Sequence, residues 1–258
     1  IDGQGVIHVY LVYDYERDSP NRANGHWHFQ IQAEPGSDLT FVLHNFDNIW
    51  NGKHGAPVSD KTICFLSPDG RVWHTIPTEF IEGDAIRFSI HMESDSLYVA
   101  RLEPYRIGDL DNFLSEIRPH PLVQIKTIGH TVEGRELEIV RVGNPDAPYR
   151  VFFRARSHAW EPGGNWVVQG LIRRMLRDDD LARKYQRRFC IYALLMANKD
   201  GVARGRTRFN SLGMDLNRKW DRPADPLLAP ENAALESWLQ SKIAEGKAPH
   251  LAIDLHND

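Results

Sequence analysis

Residues 156–166 read Arg156-Ser157-His158-Ala159-Trp160-Glu161-Pro162-Gly163-Gly164-Asn165-Trp166. A histidine and a glutamate with two residues between them can turn toward one point if the loop is tight. Imidazole nitrogen and carboxylate oxygen are good ligands for zinc, and a catalytic zinc needs three of them plus an open position for water. A third ligand should therefore come from elsewhere in the chain. His256 meets that need, directly after the apolar run Leu251-Ala252-Ile253-Asp254-Leu255. Taken alone, a His-x-x-Glu pair is a weak signal, because most such pairs lie on surfaces. Most of the twelve histidines are structural by default, among them His8, His26, His28, His44 and His74 in or beside strand-like runs.

A second segment adds weight. Residues 196–220 show little periodicity, carry Arg204, Arg206, Arg208 and Arg218, and hold several Gly and Asn turn residues. Long irregular segments in compact domains tend to be functional. Seen alone, this one reads either as a solvated basic loop or as an anion site. Guanidinium binds carboxylate through two parallel hydrogen bonds, and an asparagine amide adds direction.

These residues need strands and helices to hold them. Residues 1–105 read as β: short runs rich in branched and aromatic side chains at 6–13, 26–31, 39–43, 62–66, 85–90 and 97–100. Turn dipeptides separate them, as at Asn24-Gly25, Pro35-Gly36, Asn51-Gly52, Asp69-Gly70 and Glu82-Gly83-Asp84. That texture predicts an all-β sandwich. Residues 106–120 read as a linker with a short helix over 107–117, ended by Pro119 and Pro121. From 121 to 258 strands alternate with helices: strands over 136–142, 149–155, 188–196 and 250–255, helices over 165–176 and 230–244. Alternation predicts an α/β domain, a sheet flanked by helices. His158 and His256 then both follow carboxyl ends of strands, where open α/β sheets build their sites.

The 258 residues, 41% hydrophobic and 26% charged with a formal net charge of −4, describe an ordinary globular chain. The composition excludes disorder and a collagen-like scaffold, and nothing in the charge balance points to nucleic acid. No run approaches the ~18 apolar residues of a membrane span. Cys64 and Cys190 sit in apolar runs and read as free buried thiols.

The set His158-x-x-Glu161, Asp200-Gly201, Arg208, Asp215-Leu216-Asn217-Arg218 and His256 resembles the M14 zinc carboxypeptidases. It is closest to their cytosolic-carboxypeptidase-like branch, in which a β-sandwich precedes the catalytic domain. Pro104-Tyr105-Arg106 resembles the branch's interdomain Pro-Tyr motif. The resemblance implies a mixed sheet flanked by helices, and hydrolysis of C-terminal residues from a peptide or protein. It implies one zinc ion held by His158, Glu161 and His256. Arg208 would polarise the carbonyl, Asn217 and Arg218 would grip the substrate carboxylate, and Asp215 would orient His158. The sequence departs from the commoner pattern at Lys199, where many members have proline, and at Pro162-Gly163-Gly164-Asn165, which is expected to reshape the substrate mouth.

The family's general base is a glutamate that follows the third zinc ligand. Glu231, Glu236 and Glu245 read as solvent-facing on a helix, so the base is expected beyond Asp258. The chain then reads as the leading part of a longer enzyme, truncated on its C-terminal side and poorly active alone, and its start at Ile1 reads as a processed or internal one. Two alternatives stay open: an aspartoacylase-like zinc amidohydrolase acting on N-acyl amino acids, and a zinc-retaining pseudoenzyme or binding protein. The resemblance favours a cytoplasmic setting, with a processed or secreted form left open. No residue pattern assigns an oligomeric state.

Overall fold

The computed structural model describes residues 1–81 and 85–257, so the expected turn at Glu82-Gly83-Asp84 and the end residue Asp258 lie outside the described residues. The chain divides into two units. The first comprises Ile1–Pro104 with Gly205–Thr207, and the second Tyr105–Arg204 with Arg208–Asp258.

In the first unit the strands are β1 (Ile7–Tyr10), β2 (Asp14–Tyr15), β3 (Arg22–Ala23), β4 (His28–Gln32), β5 (Asp38–His44) and β6 (Asn48–Trp50). They continue with β7 (Lys53–Gly55), β8 (Ile63–Ser67), β9 (His74–Pro77), β10 (Glu79–Ile81), β11 (Ala85–His91) and β12 (Ser96–Ala100). Two four-stranded sheets form, in the orders β1-β5-β11-β10 and β4-β12-β8-β9, beside a small sheet β2-β3-β6-β7. Alternation along β11 buries Ile86, Phe88 and Ile90 and exposes Arg87 and Ser89. The inward residues of both larger sheets share one core: Phe41, Leu43, Ile86 and Phe88 from one, Ile31, Cys64, Leu66 and Val99 from the other. Cys64 and Cys190 are both free and buried.

The second unit opens with α1 (Ile107–Ile117) and β13 (Val123–His130), followed by β14 (Glu136–Val142) and β15 (Tyr149–Ala155). Then come α2 (Gly163–Met175), α3 (Asp180–Gln186), β16 (Phe189–Leu194), α4 (Lys199–Ala203), α5 (Pro230–Ala244) and β17 (Leu251–Leu255). The sheet order is β13-β14-β16-β15-β17. β13 and β14 run antiparallel to their neighbours, while β16, β15 and β17 run parallel. The three parallel strands therefore end on the same side.

Helices cover both faces. On one, Leu110, Phe113, Leu114 and Ile117 of α1 join Val168, Ile172 and Met175 of α2 over Val140, Val142 and Ile191. On the other, Leu235 and Trp238 of α5 pack on Ile139, Phe152, Tyr192 and Leu194. The segment 106–120, expected as a linker, is thus part of this unit: its helix buries an apolar stripe in the same core as the sheet. Within the irregular segment 196–220, α4 forms because the Asn198 side chain accepts a hydrogen bond from Gly201 N at 2.9 Å, which caps a first turn that hydropathy does not announce. β13, α3 and α4 are the elements of this unit that the sequence pattern did not single out.

Candidate metal centre

β15 ends at Ala155, and the chain then turns sharply through Arg156, whose φ is +62°. This is the left-handed region, costly for a residue with a Cβ, and it persists only where surroundings hold it. Here they do: the Arg156 guanidinium is buried, its Nε donates to Ala159 O at 2.7 Å, and another nitrogen donates to Asn165 Oδ1 at 3.1 Å. Asn165 itself donates to Leu195 O at 2.5 Å. The loop 157–161 is therefore bound back onto its own strand and onto the first turn of α2. Two glycines let its neighbours approach. A Cβ at Gly164 would meet Leu255 Cβ at 2.9 Å, and one at Gly201 would meet Ala159 Cβ at 2.8 Å.

This loop brings His158 and Glu161, each 4% exposed, beside His256 just past β17. His158 Nδ1 lies 2.8 Å from Glu161 Oε1, and His256 Nδ1 lies 2.8 Å from Glu161 Oε2. The three side chains offer ligand atoms all within 4.8 Å of one another.

The opposite nitrogens are held too. His158 Nε2 lies 3.3 Å from Asp215 Oδ1. His256 Nε2 lies 3.1 Å from Asn217 Nδ2 and 3.3 Å from Asp254 Oδ2. Such outer contacts point the Nδ1 atoms toward a common centre and fix ring orientation. Two imidazole nitrogens and a carboxylate match the ligand types of catalytic zinc sites, so the donor set fits that ion.

Asp215 organises the rest. Its carboxylate accepts from Arg208 Nε at 2.7 Å and from Asn217 N at 2.8 Å. Burial alone would raise this carboxyl, but the His158 contact and the Arg208 charge outweigh it and hold it well below the usual carboxylate range. Arg208, Asp215, Asn217 and His158 thus belong to one connected cluster. Arg218 follows on the same turn, exposed, with one nitrogen donating to Asn217 O at 2.9 Å.

Several contributors were not singled out from the sequence. Buried Arg154 donates to Leu216 O at 2.8 Å, to Asn232 Oδ1 at 2.9 Å and to Asp254 Oδ2 at 3.2 Å. It ties the 215–218 turn to β17 and α5. Its signal was a charge inside an otherwise apolar strand, and Asp254 offers the same signal in β17. Lys199, at the position of the departure from the family pattern, is buried and its Nζ donates to both oxygens of Glu138, the nearer at 2.6 Å.

Glu231 corrects an expectation. It is 1% exposed, not solvent-facing, and its carboxylate accepts from Asn210 Nδ2 at 3.3 Å. Glu236 is half-buried and caps Ala224 N, whereas Glu245 is exposed. The buried stripe of α5 is Glu231, Asn232, Leu235 and Trp238. Its N-terminal end is polar because it meets loop side chains and carbonyls there.

A family comparison matches residues 111–256 to Peptidase M14, zinc carboxypeptidase. The chain belongs to the zinc carboxypeptidase family. Cytosolic carboxypeptidase 6 of Caenorhabditis elegans is 30% identical over 148 residues, covering 54% of this chain and 32% of that protein. Human cytosolic carboxypeptidase 1 is 32% identical over 190 residues, covering 66% of this chain and 15% of that protein. The chain therefore spans about a third or less of these two relatives. A metallo-carboxypeptidase structure from Burkholderia cenocepacia superimposes with a TM-score of 0.86 at 25% identity, covering the whole of this chain and 66% of that one. One from Pseudomonas aeruginosa, in complex with (2-guanidinoethylmercapto)succinic acid, shares the fold with a TM-score of 0.82 at 24% identity. Membership of this family implies zinc, and His158, Glu161 and His256 are the group that fits it. Among the described residues, no helix is long and apolar enough to cross a membrane.

Proposed function

We propose that this protein is a zinc metallocarboxypeptidase that hydrolyses C-terminal residues from peptides. The observation that carries the reading is the convergence of His158 and His256 on the Glu161 carboxylate, within one hydrogen-bonded cluster that also holds Arg208 and Asn217.

His158, Glu161 and His256 would hold the ion. Bound there, zinc supplies an acidified water and an electrophile for the scissile carbonyl. Arg208 aims positive charge at the oxygen where negative charge grows, and its fixed bond to Asp215 sets that aim before substrate arrives. Asn217 and Arg218 hold the free carboxylate of the substrate C-terminus, the guanidinium through paired hydrogen bonds. Asp215 keeps His158 in the tautomer that presents Nδ1 to the metal. Glu161 is committed to both histidines, Asp215 to His158 and Arg208, and Asp254 to Arg154. None of these three is free to take the water's proton in this reading, which calls for a further carboxylate as base.

The same reading takes residues 1–105 as a β-sandwich domain beside the catalytic domain. It is supported by the shared core of the two four-stranded sheets.

Peptides with a free α-carboxylate, the same peptides amidated, and N-acyl amino acids distinguish the options. The full-length protein should release C-terminal residues from the free peptides, with amidation slowing release strongly. Turnover of N-acyl amino acids without peptide cleavage would replace this reading with an amidohydrolase. No zinc-dependent turnover of any of the three would replace it with a pseudoenzyme.

A further inference from the structure

On the face of the second unit covered by α5, away from the metal centre's residues, lies a cavity of about 150 Å³. Tyr192 and Trp238, both buried, and Ile139 contribute its apolar lining. Its charged lining holds four cations, Lys126 on β13, Arg141 on β14, Lys242 on α5 and Lys247 just beyond α5, and one carboxylate, Glu245. Strand register brings two of them into adjacent rows, since Gln124 pairs with Arg141 and Lys126 with Ile139.

The local charges do not balance. Lys242 pairs with Glu245 at 2.6 Å and Lys247 with Asp146 at 3.0 Å. Lys126 and Arg141 pair with no carboxylate among the described residues. Four cations against two carboxylates leave a surplus of two positive charges. The surplus acts on its surroundings: the bond from Lys242, then the fields of Lys242, Lys247 and Lys126, hold the Glu245 carboxyl below its ordinary range.

Arg141 is the sharpest feature. Its Nε is buried and has no hydrogen-bond partner. A buried donor left unmade costs free energy, and a charged one costs more. A dianion in the cavity would place negative charge beside this guanidinium and cancel the surplus charge.

We propose that this cavity binds a phosphate dianion, either inorganic phosphate or the phosphate group of a monoester, held by Arg141 and Lys126 with Lys242 and Lys247 beside it. A phosphate suits the site better than a single carboxylate. It carries close to two negative charges at neutral pH and three oxygens for donors arriving from different elements. The apolar lining lowers the local dielectric and strengthens each of those bonds.

Calorimetric titration of inorganic phosphate and of glycerol phosphate into the full-length protein, with chloride at matched ionic strength as control, tests this. The expected result is saturable one-to-one binding, weakened roughly tenfold or more by Arg141→Gln and by Lys126→Gln, and unchanged in Arg218→Gln. Lys126 is exposed, so its replacement reports on the site even if Arg141→Gln fails to fold. Tighter binding of glycerol phosphate assigns the site to a monoester, and equal or weaker binding assigns it to inorganic phosphate. Absence of saturable binding, or binding that survives Lys126→Gln and is lost in Arg218→Gln, overturns the proposal.

Discussion

At the carboxyl ends of β15 and β17, Glu161, Asp215 and Asp254 each meet a basic side chain, whereas in the cavity under α5 Arg141 and Lys126 meet no carboxylate. Both regions sit on the same sheet and both desolvate charge. In the first, carboxylates and basic groups pair with one another, although Arg154 Nε is buried without a hydrogen-bond partner, and a small bound ion would add to a cluster already held in shape. In the second, four cations meet only two carboxylates. The contrast separates two ways of making a binding site. One organises ligands in advance through mutual hydrogen bonds, and the other leaves a charge deficit that a ligand relieves. The first kind should be hurt far beyond the residue removed, because each deletion strands a buried partner.

The strongest way to break that comparison is to remove a histidine. His158→Ala is expected to lose zinc and peptidase activity together, activity falling to the uncatalysed background. Paired measurement of zinc content and turnover in the full-length protein checks this, and activity retained without zinc would contradict it. Arg208→Ala should come next. It should keep zinc and lower kcat by roughly 10²–10³-fold, as removal of an oxyanion donor does. A change confined to KM would instead make Arg208 a substrate-binding group.

Asp215→Asn sharpens the account of the outer contacts. It should weaken zinc binding or activity by roughly 10- to 100-fold, measured by chelator competition and turnover, while the fold is retained. Arg218→Ala should keep zinc and raise KM for peptides with a free carboxylate much more than for amidated ones. An equal change for both would remove Arg218 from the carboxylate anchor.

The smallest effect concerns stability. Burial pushes the Glu231 carboxyl up to about 7. The folded protein thus keeps a proton there that the unfolded chain releases above its ordinary value of ~4.3. This contribution favours the folded state below that ordinary value and is lost as pH rises through about 7. Glu231→Gln should flatten that decline and leave the variant more stable than the parent at pH 8 by on the order of 2 kcal/mol. Denaturant midpoints at pH 5 and pH 8 measure it, and parallel pH slopes in parent and variant would contradict it.

What the sequence revealed follows from how local the governing physics is. The alternation of β11 and the apolar stripes of α1 and α2 are set by burial on one face, and hydropathy displays that pattern directly. His158, Glu161 and His256 stood out because their side chains are ligand types placed after strands. Hydropathy did not show α4, whose first turn depends on the Asn198 cap. Nor did it show the left-handed turn at Arg156, which a ring of buried hydrogen bonds sustains. Glu231 was misread because a glutamate on a helix is normally solvated. Its burial depends on Asn210, 21 residues earlier in the chain. Arg154 and Asp254 were visible as charges inside apolar strands, yet their partners come from the 215–218 turn and α5, which only the tertiary fold brings near.

The central claim is that His158, Glu161 and His256 form one zinc centre. Zinc titration into metal-stripped full-length protein, read by chelator competition and by X-ray absorption at the zinc edge, tests it most directly. One zinc per chain is predicted, with two imidazole nitrogens and otherwise oxygen donors, and with saturable binding lost in both His158→Ala and His256→Ala. One-to-one binding that survives either substitution, or a sulfur donor in the absorption spectrum, would contradict it.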